Sequence, residues 1–233
     1  MASFVKISLA QQIVQRWKNG RGETHQIAIS PAGGDFTQGA FDWRVSHAVL
    51  TEDGPFSNFP EFERHLVLLE GSDLELVVQG SPHYPDSLFP GRDVVVQFAG
   101  ELSVNGILRS GPVRDLNIFC KKDRCHARVQ IIKMANQGSE KSFRPNAPSW
   151  LLLAADGPVK LRIGAGGADS KWSLERGETL LVENWDPQSS VSAMALSADS
   201  SADSSPNSSA DVLPEWPGAR LLLIEILPLA FVP

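Results

Sequence analysis

Twelve short apolar runs, set apart by clusters of Gly, Pro, Asp and Ser, recur along this chain, while helical periodicity is scarce. FVKISL, HQIAIS, HLVLLEG, LELVVQG and ARLLLIEIL are representative. Runs this short, bounded by turn residues and rich in Val, Leu and Ile, read as strands, and many of them in succession build a sandwich or a barrel. Helix is expected only in short pieces, with Leu9–Trp17 and Phe59–His65 the places for it. At 233 residues the chain can bury a sizeable core, as one large all-β domain or two small ones.

An internal repeat addresses that choice. HLVLLEGSDLELVVQG followed by FPGRDVVVQFAG resembles WLLLAADGPVKLRIGAG followed by LERGETLLVEN, and the interval of 20 residues from Gly71 to Gly91 recurs from Gly157 to Gly177. In each copy a strand ends at an acidic-Gly turn, a second strand follows, and a Gly-led turn opens a third. Two copies of one β unit imply two stacked or fused barrels; chance agreement of Gly turns in an all-β protein is the competing explanation. The expected division is a first barrel over 1–133, a linker over 134–149 and a second barrel over 150–233. Residues 189–211, dominated by Ser, Ala, Asp and Asn, are expected as a mobile insertion in the second barrel, because such a segment buries little apolar area.

The stretch FDWRVSHAVLTEDGPFSNFP, Phe41 to Pro60, carries the densest chemistry. At period two, Phe41, Trp43, Val45 and Val49 share one face, with His47 among them, and Asp42, Arg44, Ser46 and Ala48 share the other. A plain reading puts the first face on the core and the second in water. The kind of polar residue argues for recognition instead, since a planar guanidinium beside a hydroxyl suits a carboxylate. In VRDLNIF, Asp115 and Asn117 share a strand face, and a carboxylate and an amide among apolar neighbours must be hydrogen-bonded if buried. Arg44 is the expected counter-charge to Asp115, and that pair could equally do no more than lock two strands together.

Other chemistries have less support. WKNGRGET, Trp17 to Thr24, is a tight loop whose backbone N–H groups could converge on an anion, although most such loops are only turns. None of the five histidines has the spacing of a metal-ligand pair on a strand, so no metal and no cofactor are expected. His47 reads as a hydrogen-bonded core residue. Ser46 and Ser57 lack the context of a nucleophile. Cys120 and Cys125 form no zinc motif, and the absence of an export signal at the N-terminus makes free thiols in the cytoplasm the expectation. With 21 basic against 27 acidic residues the net charge is −6, which argues against a nucleic-acid partner. The most apolar run, Leu221 to Val232, is broken by Glu225 and Pro228 and is too short to span a membrane. It reads as a buried strand, or an edge through which two copies could pair as a homodimer.

Three of these motifs, WKNGRGET, FDWRVSHAVLTEDGPFSNFPEFERHLVLLEG and GPVRDLNIF, resemble the HutD/Ves family in order and separation. The resemblance covers most of Trp17 to Phe119 and, more loosely, the second repeat. The chain departs from the family pattern at Arg21 and Glu61, where glycine is usual. The resemblance implies an all-β, bicupin-like fold of two fused cupin or jelly-roll barrels. It also implies a non-catalytic regulatory or accessory protein of histidine utilisation that binds a small carboxylated intermediate such as N-formylglutamate or urocanate. Carried over by position, it marks Asn19 and Gly20 in the loop, Arg44 and Ser46 in FDWRxS, and Asp115 and Asn117 in DLN, with Trp43 or Phe56 as pocket walls. The rival reading is a metal-free cupin-type isomerase or hydrolase with Asp115 or His47 as general base.

Overall fold

The computed structural model describes residues 1–17, 22–165, 168–196 and 219–229. Nearly all of them are in strands or the turns between strands. In chain order these are β1 (Ser3–Ile7), β2 (Ile13–Arg16), β3 (Glu23–Ser30), β4 (Trp43–Leu50), β5 (Gly54–Pro55), β6 (Phe62–Glu70), β7 (Leu74–Gln79), β8 (Ser87–Leu88), β9 (Val96–Ala99) and β10 (Ser103–Leu108). They continue as β11 (Val113–Lys121), β12 (Cys125–Met134), β13 (Glu140–Phe143), β14 (Ser149–Ala154), β15 (Val159–Ala165), β16 (Ala168–Leu174), β17 (Thr179–Glu183), β18 (Ser190–Ala195) and β19 (Ala219–Pro228). The one helical piece described is a 3-10 turn at Leu9–Gln11. The two segments expected as helix are otherwise extended: Ile13–Arg16 pairs with β3, and Phe62–His65 opens β6. Among the described residues no helix is long and apolar enough to cross a membrane.

Two compact units result. One comprises Leu9–Val129 with Ile226–Pro233, the other Met1–Ser8 with Gln130–Glu225. The first, here the N-terminal barrel, holds a six-stranded sheet in the order β2-β3-β4-β11-β6-β9 and a four-stranded sheet in the order β5-β10-β7-β8. The second, the C-terminal barrel, is built on a five-stranded sheet, β1-β17-β14-β19-β12, and a four-stranded one, β13-β18-β15-β16. The first residues of the chain go with the second unit because β1 pairs with β17 from Ser3↔Glu183 to Ile7↔Thr179.

The repeat is visible in the pairing. β6 pairs antiparallel with β9, and β14 with β17, while the two strands between them in sequence, β7 and β8 or β15 and β16, lie in the four-stranded sheet of their barrel. Gly71 and Gly177 take positive φ of 80° and 84°, a conformation glycine adopts without steric cost. Three sequence expectations change. Part of 134–149 is strand, with β13 paired to β18 from Glu140↔Met194 to Phe143↔Val191. Ser190–Ala195 belongs to the sheet and not to the insertion, and 197–211 lies outside the described residues. The apolar C-terminal strand is no edge, since β19 runs between β14 and β12.

The N-terminal barrel encloses two apolar regions. Leu50, Leu66, Leu68, Leu74, Leu76, Val78, Val104 and Val113 form an aliphatic one, and Phe41, Phe62 and Phe119, with Phe36 and Phe59, an aromatic one. Phe41 leaves the alternation expected of it: it precedes β4 and stacks on Phe62, ring centroids 4.4 Å apart. β4, β6 and β11 are buried on both faces, so the face carrying Arg44 is not the solvated side of an amphipathic strand.

Candidate functional site

Strand register brings the polar residues together. On β11, Asp115 and Asn117 come between Val113 in the aliphatic region and Phe119 in the aromatic one. Asn117 is opposite Ser46 on β4, and Ser46 is opposite Gln26 on β3. Phe119 is opposite Arg44 on one side and Arg64 of β6 on the other. Directly paired residues point to the same face of a sheet. The result is a polar belt across four strands, with its two arginines two strands apart, about 10 Å between their backbones.

The two arginines are held differently. Arg44 is 1% exposed. Its Nε donates to Gln26 Oε1 at 2.8 Å and its Nη2 to Gln15 Oε1 at 3.0 Å, and its guanidinium lies 3.9 Å from the centroid of the Phe36 ring. Both acceptors are neutral amides, and Nη1 meets no acceptor among the described residues. Burial pulls the Arg44 pKa down to about 10, which leaves it charged at neutral pH. Arg64, 4% exposed, is fully engaged. Nε and Nη2 donate to Asn117 Oδ1 at 3.2 and 3.0 Å, Nη1 donates to the Ser57 carbonyl at 3.1 Å, and the rings of Phe119, Phe98 and Phe56 surround it at 4.5, 5.0 and 5.2 Å. Phe56 reaches this position because residue 106 is glycine; a Cβ there would lie 2.9 Å from the Phe56 ring.

Asp115 supplies the one carboxylate of the belt, and both of its oxygens are occupied. Oδ1 accepts the Ala48 backbone N–H at 3.1 Å and Oδ2 accepts Asn117 Nδ2 at 3.0 Å. Burial pushes its pKa up to about 6, against the opposing pull of Arg64, Asn117 and the Ala48 N–H. Asn117 thus bridges Arg64 to Asp115. The expected Arg44–Asp115 pair is not formed: the charged neighbour of Asp115 is Arg64.

The C-terminal barrel shows what a buried structural arginine looks like in this protein. Arg220, 2% exposed, donates from Nε to Asp156 Oδ2 at 2.9 Å in a buried ion pair. A groove of about 490 Å³ also lies in this unit, but Arg162 in its lining is already paired to Asp169 at 2.7 Å, and the lining holds one further base, Arg144, and one further acid, Glu140, so its formal charges cancel. The interior of the N-terminal barrel carries the surplus.

Of the residues singled out in the sequence, Arg44, Ser46, Asp115 and Asn117 meet in the belt, and Phe56 stands beside Arg64. Trp43 does not join them; it lies on the opposite face of β4, paired with Cys120. Asn19 and Gly20, like Arg21, lie outside the described residues. His47 is a buried core histidine, hydrogen-bonded through Nε2 to Gln12 Oε1 at 2.8 Å and stacked on His25 at 4.8 Å. It faces away from Asp115. Both cysteines are free and buried. Among the described residues no group of three or more His, Cys, Asp or Glu is placed to hold a metal ion. The sequence reading missed Arg64, Gln26 and Gln15. Arg64 had a signal, a charge in step with Phe62, Leu66 and Leu68, which a helical reading of that segment hides. Gln26 is displaced from simple alternation by an irregularity between Gln26 and Ala28.

Comparison with known proteins decides the family. The HutD family model matches residues 10–201, most of the chain. The chain belongs to the HutD family. A Ves protein of Citrobacter koseri is 38% identical over 120 residues, 51% of this chain and 58% of that protein. A 21.2 kDa protein encoded in the hutC 3′ region of Pseudomonas putida is 32% identical over 145 residues, 62% of this chain and 70% of that one. HutD family members are in this way linked to histidine-utilisation genes. The chain spans less than two thirds of the length of the Ves proteins it matches. Among solved structures, a conserved protein of unknown function from Pseudomonas aeruginosa superposes with a TM-score of 0.76 at 24% identity, covering 97% of this chain and 99% of that one. HutD from Pseudomonas fluorescens in a formate condition gives 0.68 at 24%, covering 98% and 100%. Vicilin from Capsicum annuum, at a TM-score of 0.63 and 6% identity over 97% and 86%, and oxalate decarboxylase from Bacillus subtilis, at 0.62 and 7% over 94% and 76%, share the fold. The architecture is bicupin-like.

Proposed function

We propose that this HutD-family chain binds a small carboxylated metabolite in its N-terminal barrel and acts without catalysis, as a regulatory or accessory protein of histidine utilisation. N-formylglutamate and urocanate are the candidate ligands, and the cytoplasm, where both thiols stay free, is the compartment this reading assigns. The observation that carries it is Arg44, a cation 1% exposed whose side-chain acceptors are two neutral amides. Burying a charge without an opposite charge is costly, and Arg220 with Asp156 is the solution the same chain uses where an arginine is structural. A carboxylate on the open Nη1 side of Arg44 removes that cost. Asn117 and Ser46 stand in the neighbouring rows to orient it, with Phe36 and Phe56 as apolar walls.

The test is a thermal-shift screen with urocanate, N-formylglutamate and formate on wild type and Arg44→Ala, followed by chemical analysis of the incubated compound. A rise in melting temperature that Arg44→Ala abolishes, with the compound recovered intact, is the expected result. An unchanged response in Arg44→Ala removes the centre of the proposal. One observation favours a second reading: Asp115, with a pKa pushed up to about 6, is poised as a general base would be. Product in the incubated sample would move the assignment to an isomerase or hydrolase.

A further inference from the structure

We infer that Asp115 limits the ligand of the N-terminal barrel to one negative charge, so that the site takes monocarboxylates and rejects short dicarboxylates; of the two candidate ligands this keeps urocanate, which has one carboxylate, and excludes N-formylglutamate, which has two. This rests on the reading of Arg44 as the carboxylate clamp and adds the charge class of what it clamps.

The argument is a count of charge in a closed place. The belt holds three ionised side chains, Arg44, Arg64 and Asp115, each at most 4% exposed. The residues between them, Gln15, Gln26, Ser46 and Asn117, are neutral. Asn117 accepts two N–H bonds from Arg64 on its oxygen and donates from its nitrogen to Asp115, so the charges of Arg64 and Asp115 offset each other across a single amide. One positive charge remains, and it is on Arg44. A monocarboxylate brings the interior to neutrality. A second carboxylate of the same short ligand finds Arg64 already surrounded by Asn117, the Ser57 carbonyl and three phenyl rings, and meets the Asp115 carboxylate instead. The aromatic walls add to the exclusion, because the face of a phenyl ring is its negative side. A buried charge with no partner is the costliest arrangement open to the complex.

Both Asp115 oxygens are already engaged inside the protein, Oδ1 by the Ala48 N–H and Oδ2 by Asn117 Nδ2. Asp115 acts through the charge it brings and not through contact, which makes it a specificity-determining residue.

The test compares succinate with succinamate, the same skeleton with one carboxylate converted to an amide, by calorimetric titration near neutral pH. Wild type is expected to bind succinamate at least about tenfold more tightly than succinate. Asp115→Asn adds one net positive charge and is expected to reverse that ratio, a change that simple loss of stability does not produce. Gln26→Glu is the second variant; it places a carboxylate on Arg44 Nε, cancels the surplus charge and is expected to abolish binding of both compounds in a protein that melts no lower than wild type. Equal wild-type affinity for the two compounds, both lost in Arg44→Ala, overturns the charge limit and leaves the clamp standing. Failure of wild type to bind either overturns both. An unreversed ratio in folded Asp115→Asn, or retained binding in Gln26→Glu, removes Asp115 from its role.

Discussion

Arg44 Nε donates to Gln26 Oε1 at 2.8 Å, a permanent cation held by a neutral amide where both residues are buried. Folding alone has little reason to keep this arrangement, because a charged acceptor would satisfy the guanidinium better. The same relationship extends to Gln15 on β2. The barrel interior therefore holds a cation whose side-chain hydrogen-bond acceptors are neutral, the observation on which the proposed binding site rests.

The amide of Asn117 is the joint of the belt, and removing it strands two ions together. Asn117→Ala leaves Arg64 Nε and Nη2 without their acceptor and Asp115 Oδ2 without its donor. Breaking a buried charged network costs about 3–5 kcal/mol. Urea denaturation is expected to show a loss of that order with an unchanged m-value.

Asp156→Ala makes the corresponding break in the C-terminal barrel, where it removes the carboxylate that meets Nε and Nη2 of the buried Arg220. A loss of about 3–5 kcal/mol is expected here as well. Ligand affinity per folded molecule should not change, because the pair lies in the other unit. Calorimetric titration of the variant against wild type checks both statements.

Two buried groups give the stability of the fold opposite dependences on pH. The folded Asp115 pKa, about 6, is above the ordinary 3.8, so its contribution is fully present below 3.8 and is lost as pH rises through about 6. Burial first, then the charges of His25 and Arg114, lower the His47 pKa from 6.5 to about 4; its contribution is present above 6.5 and is lost as pH falls through about 4. Between about pH 4 and pH 6.5 the two slopes oppose. Asp115→Asn is expected to make stability climb more steeply with pH than in wild type, and His47→Gln to tilt it the other way. Denaturation series across that window read both slopes.

Glycine positions separate sharply by what surrounds them. A Cβ at residue 100 would lie 2.2 Å from the Phe59 carbonyl oxygen and 2.8 Å from that of Phe62, both backbone atoms, whereas at residue 157 the nearest atom is the Ala219 Cβ at 3.8 Å. Gly100→Ala is expected to cost more than about 2 kcal/mol by overpacking. Gly157→Ala is expected to be neutral or stabilising by a few tenths of a kcal/mol. Melting temperatures of the two single variants decide it.

Much of the fold was legible because strand length, turn residues and period-two alternation are local properties. The repeat built on HLVLLEG and WLLLAADG located the three strands that each barrel reuses, and the pairing of β6 with β9 and β14 with β17 follows it. The segment FPEFERH was expected as helix, and only the sheet, through pairing of β6 with both β9 and β11, reveals Arg64 as an inward-facing cation on a strand. The assignment of Met1–Ser8 to the C-terminal barrel was invisible for a related reason: β1 pairs with a strand more than 170 residues away, a contact that no local pattern encodes.

The sequence by itself determined that the chain is all-β, that a β unit recurs, and that Arg44 and Ser46 share one strand face and Asp115 and Asn117 another; that these faces are buried came from the structure. Tertiary structure decided which of them answer one another. Arg44 was expected to pair with Asp115, yet the register of β4, β11 and β6 puts Asn117 between Asp115 and Arg64 and turns Arg44 toward two glutamines on β2 and β3. Alternation tells which face a side chain takes; only the alignment of neighbouring strands tells which charge stands beside which, and that alignment leaves Arg44 unanswered.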